Sequence, residues 1–216
     1  MATVQATLTP TADQTPVTVS VSADEPSGGQ WIARFPGSAS LASLESPFRE
    51  GVTKFLDAVK AAGGTVHISA TYRPPERAYL MHWAWKIVKQ SFDPRQVPSY
   101  PGDVIKIKWA HTSATGAFDQ QASTQGARAM VNGYGISGLN VAPALASRHT
   151  QKRAIDMNIT WTGTLMVNNA SGTAVTISSN PKTGMNSDLH TVGATYGVIK
   201  FVGGNSDKPH WSNDGH

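Results

Sequence analysis

The sequence predicts an α+β fold, a small antiparallel sheet flanked by helices. Three observations predict it: apolar residues recur at helical spacing after Pro47, apolar and polar residues alternate over 65–70 and 153–161, and a hairpin pattern lies between 164 and 178. At 216 residues the chain holds one core of ordinary size, or one core with a flexible extension, and not several large domains.

Residues 1–30 are rich in Thr, Ser, Pro and Gly, and too few of them are apolar to offset their ordering entropy. Only Val17, Val19 and Val21 alternate, so residues 1–35 are expected to form a flexible or edge-strand segment and 36–216 the folded domain. From Pro47 a helix presents Phe48, Val52, Phe55, Leu56 and Val59 on one face and stops at Gly63-Gly64. Thr65–Ala70 then reads as a half-buried strand, with Val66 and Ile68 inward and His67 and Ser69 outward. Pro74-Pro75 opens the next helix, which carries Tyr79, Leu80, Trp83, Ile87 and Val88. Arg73 is therefore held in a strand-to-helix connection, a rigid place from which to present a charge. Residues 91–146 read as an insertion running over one side of the core, Pro-rich at first and containing a helix at about Ala122–Val131. Regular structure resumes with a strand at Arg153–Trp161, a hairpin around Asn168–Gly172, a helix at Ser187–Tyr196 and a strand at Val198–Val202.

Composition narrows the chemistry. With no cysteine there are no disulfides, thiolate ligands or Cys nucleophiles, so a metal must be held by His, Asp or Glu. Eighteen Lys and Arg against 14 Asp and Glu give +4, a mild balance that suits an anionic partner without choosing one. No apolar run is long enough to span a bilayer, and the N-terminus has no secretory signal pattern.

Two clusters answer the metal question. In Ser147–Asp156 (SRHTQKRAID) His149 lies in a loop, and Asp156 falls on the polar face of a strand with Ala154, Asn158 and Thr160, opposite Ile155, Met157 and Ile159. Taken alone, the pair reads more readily as a His and an Asp that only hydrogen-bond each other. The second cluster, Asp207-Lys208-Pro209-His210-Trp211, adds a third ligand. Zinc held by His149, Asp156 and His210 keeps an open position for water. Asp207 is then placed to take the water's proton and pass it to a leaving amine. Trp211 either walls the site or belongs to the core.

The pattern Ser-x-His-x6-Asp, followed far downstream by acid-x-x-His-Trp, resembles the zinc peptidases of peptidoglycan. These are the D-alanyl-D-alanine carboxypeptidases and dipeptidases and the L-alanyl-D-glutamate endopeptidases of phage lysins, with the amino-terminal domain of hedgehog as a fold relative. Ser147, His149, Ala154 and Asp156 match the family's Ser-x-His-x-x-Gly-x-Ala-x-Asp, and Lys152 stands where the family usually has Gly. Thr71-Tyr72-Arg73 fits its early Tyr-Arg sequence. The likeness covers roughly residues 47–216. It implies a hedgehog-like fold and a zinc ion on His149, Asp156 and His210. It also implies Asp207 as general base and acid, Arg73 on the substrate carboxylate or oxyanion, and Ser147 and Trp211 lining the substrate. Asp rather than Glu at 207 tilts the expectation towards L-alanyl-D-glutamate cleavage. Bacterial peptidoglycan is the expected partner, with no nucleic acid, no membrane insertion and a monomeric state. The missing signal points to delivery into the periplasm or wall by phage lysis, a virion or a secretion system.

Other signals are weaker. Gly133–Gly138 spells G-x-G-x-x-G but follows a helical pattern and precedes none, so it reads as a turn. His67, His82, His111 and His190 stand alone, with His190 nearest the second cluster, and His216 is expected to be disordered. Lys86, Lys89, Arg95, Lys106 and Lys108 interleave with Trp83, Trp85 and Trp109, either as a nucleic-acid surface or as a solvated face over core tryptophans. Two further readings stay open: a catalytically silent wall-binding module on the same fold, and a metal-free basic binding protein whose affinity falls steeply with salt.

Overall fold

The computed structural model describes residues 24–216, so the Val17, Val19, Val21 alternation lies outside the described residues. Among the described residues, four α-helices and small sheets make an α+β fold. Helix α1 (Phe48–Ala61) buries Phe48, Val52, Phe55, Leu56 and Val59, the face its spacing defines. Strand β2 (Thr65–Ala70) leads through Thr71–Pro74 into α2 (Pro75–Lys89), whose first turn takes a proline without losing a helical hydrogen bond. Before these, β1 (Glu25–Pro26) pairs in parallel with β3 (Ile107–Lys108), and the Asp119 carboxylate caps α3 (Gln120–Gly133) by accepting from Ala122 N.

Strand β4 (Ala154–Thr160) is followed by the β5 (Leu165–Asn168) and β6 (Ala174–Ile177) hairpin. The side-chain oxygen of Asn169 closes its turn by accepting from the backbone of Ser171 and Thr173. Asn186 caps α4 (Ser187–Thr195), and β7 (Ile199–Lys200) and β8 (His210–Ser212) complete a four-stranded antiparallel sheet in the order β2-β4-β8-β7.

One face of this sheet is apolar. Ile155, Met157, Ile159 and Trp211 pack with α1, α4 and the hairpin into the first core. The approach is close enough to demand glycine at one point, where a Cβ on Gly51 of α1 would lie 2.2 Å from the Tyr196 carbonyl oxygen.

Residues 91–146, expected as an insertion over one side of the core, bring apolar side chains of their own. Ile105, Trp109, Ala127, Met130, Val131 and Ile136 form a second apolar cluster with α2 and Trp31. Residues 24–35, part of the segment expected to be flexible or an edge strand, carry strand β1. Trp31 is buried, and the Arg77 guanidinium donates to the carbonyls of Ile32 and Phe35, so residues 24–35 are packed chain. Trp83, Trp85 and Trp109 all lie in this second core, which leaves the basic residues around them as a solvated face without an exposed indole. Lys86 spreads over Trp83 and Phe92, Arg95 pairs with Asp93 at 2.7 Å and Lys106 with Asp103 at 3.4 Å.

Candidate metal centre

The pairing of β4 with β8 sets Asp156 directly opposite His210 and Ile155 opposite Trp211. Because side chains alternate along a strand, Asp156 and His210 share the face turned away from the first core. A loop brings His149 to the same point. Asp156 Oδ1 lies 3.1 Å from His149 Nε2 and 3.1 Å from His210 Nδ1, and the two nitrogens are 3.2 Å apart.

The outer nitrogen of each ring faces a main-chain carbonyl. His149 Nδ1 donates to Thr71 O at 3.2 Å, and His210 Nε2 donates to His216 O at 3.2 Å. A carbonyl only accepts, so both outer nitrogens carry the proton. When the rings are neutral, the two inner nitrogens are bare and their electron pairs converge with the carboxylate. That is the electronic arrangement of a cation site, with each ligand ring oriented by a carbonyl behind it.

These three groups can hold a metal ion. Two imidazoles and one carboxylate suit a borderline transition metal and not an oxygen-seeking Ca²⁺ or Mg²⁺. The spacing agrees: tetrahedral bonds of about 2.0–2.1 Å require ligand atoms roughly 3.3 Å apart.

Both carbonyls are themselves fixed. The Thr71 hydroxyl donates towards the carbonyls of Ser38 and Ser40 and pairs with Ser43 Oγ at 2.7 Å, while Thr71 N donates to Ser38 O. His216, expected to be disordered, is instead held by its N–H to Ser212 Oγ at 3.0 Å. Arg148 forks the Asp214 carboxylate and ties this terminal segment to the His149 loop. Lys152 adopts φ 61° within that loop, a left-handed conformation that costs a side chain roughly 1 kcal/mol and glycine nothing. The loop therefore keeps the turn that a glycine would favour, with the Lys152 ammonium 5.1 Å from the Tyr72 ring centre.

Charges around the triad fall into two groups. Burial pushes the Asp156 pKa up, but hydrogen bonds and charge from His149 and His210 outweigh it and hold the carboxyl well below the usual carboxylate range. Burial also opposes the charged form of His210, yet Asp156 raises its pKa above that of a free imidazole. Asp207 sits on the 3-10 turn Gly204–Asp207, solvent-accessible as a residue, with its carboxyl raised by partial burial and then by the charge of Asp156. Arg73 joins the site through its own backbone, whose N–H donates to His149 O at 3.3 Å. Burial lowers the pKa of its guanidinium, and the carboxylates of Asp156 and Asp207 oppose that shift.

The structure thus brings His149, Asp156 and His210 together and puts Asp207 and Arg73 within electrostatic reach. Of the two expected substrate-lining residues, it turns Trp211 away from the triad. Trp211 is wholly buried against Phe55 and the His190 ring on the core side of the sheet, because its strand neighbour His210 takes the other side. The Ser147 hydroxyl is buried and meets no hydrogen-bond partner among the described residues. The lone histidines go elsewhere: His82 to Pro143 O, His111 to Ser27 Oγ, and His190 to Gly184 O. A groove of about 430 Å³ runs along β4 from Met157 to Thr160, lined on its other sides by Thr183, Met185, Asn205 and Lys208.

No family model, no curated protein and no solved structure matches this chain.

Proposed function

We propose that this chain is a zinc-dependent peptidase that hydrolyses a peptide bond in bacterial peptidoglycan, in stem peptides or their cross-links, on a hedgehog-like fold. One observation carries the reading. Two imidazoles and a carboxylate converge with their outer donors committed to carbonyls, and an unpaired acid and a guanidinium stand beside them.

Zinc, when bound by His149, Asp156 and His210, supplies Lewis acidity and lowers the pKa of water from 15.7 to about 7. The chain's own residues supply the rest. Asp207 accepts the proton of the attacking water and returns it to the leaving amine, a cycle helped by a carboxyl whose pKa is raised by partial burial and by the charge of Asp156. Arg73, fixed between β2 and α2, offers a planar guanidinium to the substrate carboxylate or to the oxyanion that forms on attack. The groove beside β4 has room for a peptide segment and is lined by apolar side chains together with Asn158, Thr160, Thr183, Asn205 and Lys208, whose ammonium suits the carboxylates of a wall stem peptide. The excess of positive charge acts in the same direction. This chemistry belongs in the periplasm or the wall itself.

Mass spectrometry of muropeptides released from purified sacculi tests the reading. Zinc-loaded protein is expected to release fragments ending in a new amine, with L-alanyl-D-glutamate cleavage the leading bond, and chelator is expected to stop release. Binding to sacculi without release would leave only a silent wall-binding module, and release unaffected by chelator would remove the metal from the chemistry.

A further inference from the structure

We propose that Lys200 is a positioning residue that ties the turn carrying Asp207 to the strand carrying the third metal ligand, His210. This inference rests on the reading of Asp207 as the general base and acid.

Lys200 lies on β7, paired with Trp211 of β8, and is only 6% exposed. Burying an ammonium is costly, and such a group is expected to find an acid. No carboxylate lies within ion-pair distance of Lys200 among the described residues. Its Nζ donates instead to two main-chain carbonyls, His210 O at 2.9 Å and Asp207 O at 3.2 Å, and lies 5.6 Å from the Trp211 ring centre. The two carbonyls belong to the third metal ligand and to the proposed base. An apolar side chain would fill the same space without the desolvation cost, so packing alone does not account for a lysine here.

The chain between the two carbonyls has few other ties. Pro209 has no N–H to donate, and its carbonyl accepts from Met157 N at 2.8 Å. His210 is fixed independently, through its pairing with Asp156 and by Phe201 N donating to its carbonyl. Asp207 lacks that support. It ends a single 3-10 turn that starts at Gly203-Gly204, with Gly204 at φ 60°. Gly204 N donates to Phe201 O at the start of the turn, and at its end Lys200 ties Asp207 to the strand carrying His210. Removing the ammonium frees Asp207 to swing while the zinc ligands stay in place.

The test is a mutant cycle on zinc-loaded protein, reading zinc content and the turnover of purified soluble muropeptides. Lys200→Met is expected to keep one zinc and to lower kcat about tenfold to a hundredfold with KM little changed. In an Asp207→Asn background the same substitution is expected to change kcat less than about threefold, because the group it positions is already disabled. An equal loss in both backgrounds, or no loss in the parent, overturns the proposal. So does loss of zinc, which would make Lys200 a support of the ligands. Asp207→Asn alone reports on the underlying reading: full activity there ends both the base assignment and this inference, while zinc-dependent cleavage persists. Should Lys200→Met not fold, the absence of native cysteine allows Lys200→Cys to be alkylated with 2-bromoethylamine in the unfolded state and refolded. Rebuilding the ammonium is expected to restore kcat to within a few-fold of the parent, and folded, zinc-bound but inactive product overturns the proposal.

Discussion

Asp156 and His210 occupy directly paired positions on neighbouring antiparallel strands, with Asp156 Oδ1 3.1 Å from His210 Nδ1. Cross-strand pairing fixes two of the three ligand positions by backbone hydrogen bonds alone, so the site is rigid before any ion enters. The third, His149, is held from behind by Thr71.

This rigidity makes stability depend on pH in opposite senses with and without metal. In metal-free protein the raised pKa of His210 stabilises the fold below the unfolded value near 6.5, a contribution lost as pH rises through the folded value. The lowered pKa of Asp156 stabilises above the unfolded value near 4 and is lost as pH falls. The chelated protein is therefore expected to be most stable between about pH 4 and 6.5. Zinc competes with the same protons, so its stabilisation is expected to grow from pH 5.5 to pH 8. Calorimetric melting of both forms across this range checks the crossing.

Asp207 and Arg73 are expected to act in the reaction and not in holding the ion. Asp207→Asn should keep its zinc and lose roughly 10²–10⁴ in kcat. Arg73→Ala should lose about 10²–10³, recovered only in part by Arg73→Lys, because an ammonium does not reproduce the planar fork. Turnover measured alongside zinc content separates these losses from damage to the site.

Trp211 is expected to matter for stability alone. Trp211→Ala opens a cavity under the sheet and should cost about 3–5 kcal/mol in denaturant unfolding. Trp211→Phe should fold, bind zinc and show an unchanged KM, which a substrate-lining residue would not.

Gly51 carries the contact of α1 with the end of α4. Gly51→Ala places a Cβ 2.2 Å from Tyr196 O and should cost about 1–3 kcal/mol, although alanine is the better helix former. A melt no lower than the parent's would mean that the helix can shift without penalty.

Much of the site was legible because its residues obey strand alternation. Ile155, Met157 and Ile159 mark the buried face of β4, which leaves Asp156 on the other, and the same rule applied to β8 sends Trp211 into the core when His210 faces out. The sequence carries that second signal too, and it decides between the two places open to Trp211. The carbonyls of Thr71 and His216 were hidden for a different reason: every residue has a carbonyl, and only the tertiary path shows which one meets a ring. Lys200 was hidden likewise, since its partners are main-chain atoms. The second core escaped because its apolar residues are spread over the Pro-rich stretch after α2, α3 and the segment around Trp31, with no continuous period to join them.

Elemental analysis of protein purified without chelator and equilibrated with excess zinc tests the central claim most directly. The account predicts one zinc per chain in the parent and none retained in Asp156→Ala or His149→Ala variants that remain folded. A folded parent that holds no zinc, or ligand variants that hold as much as the parent, would contradict it.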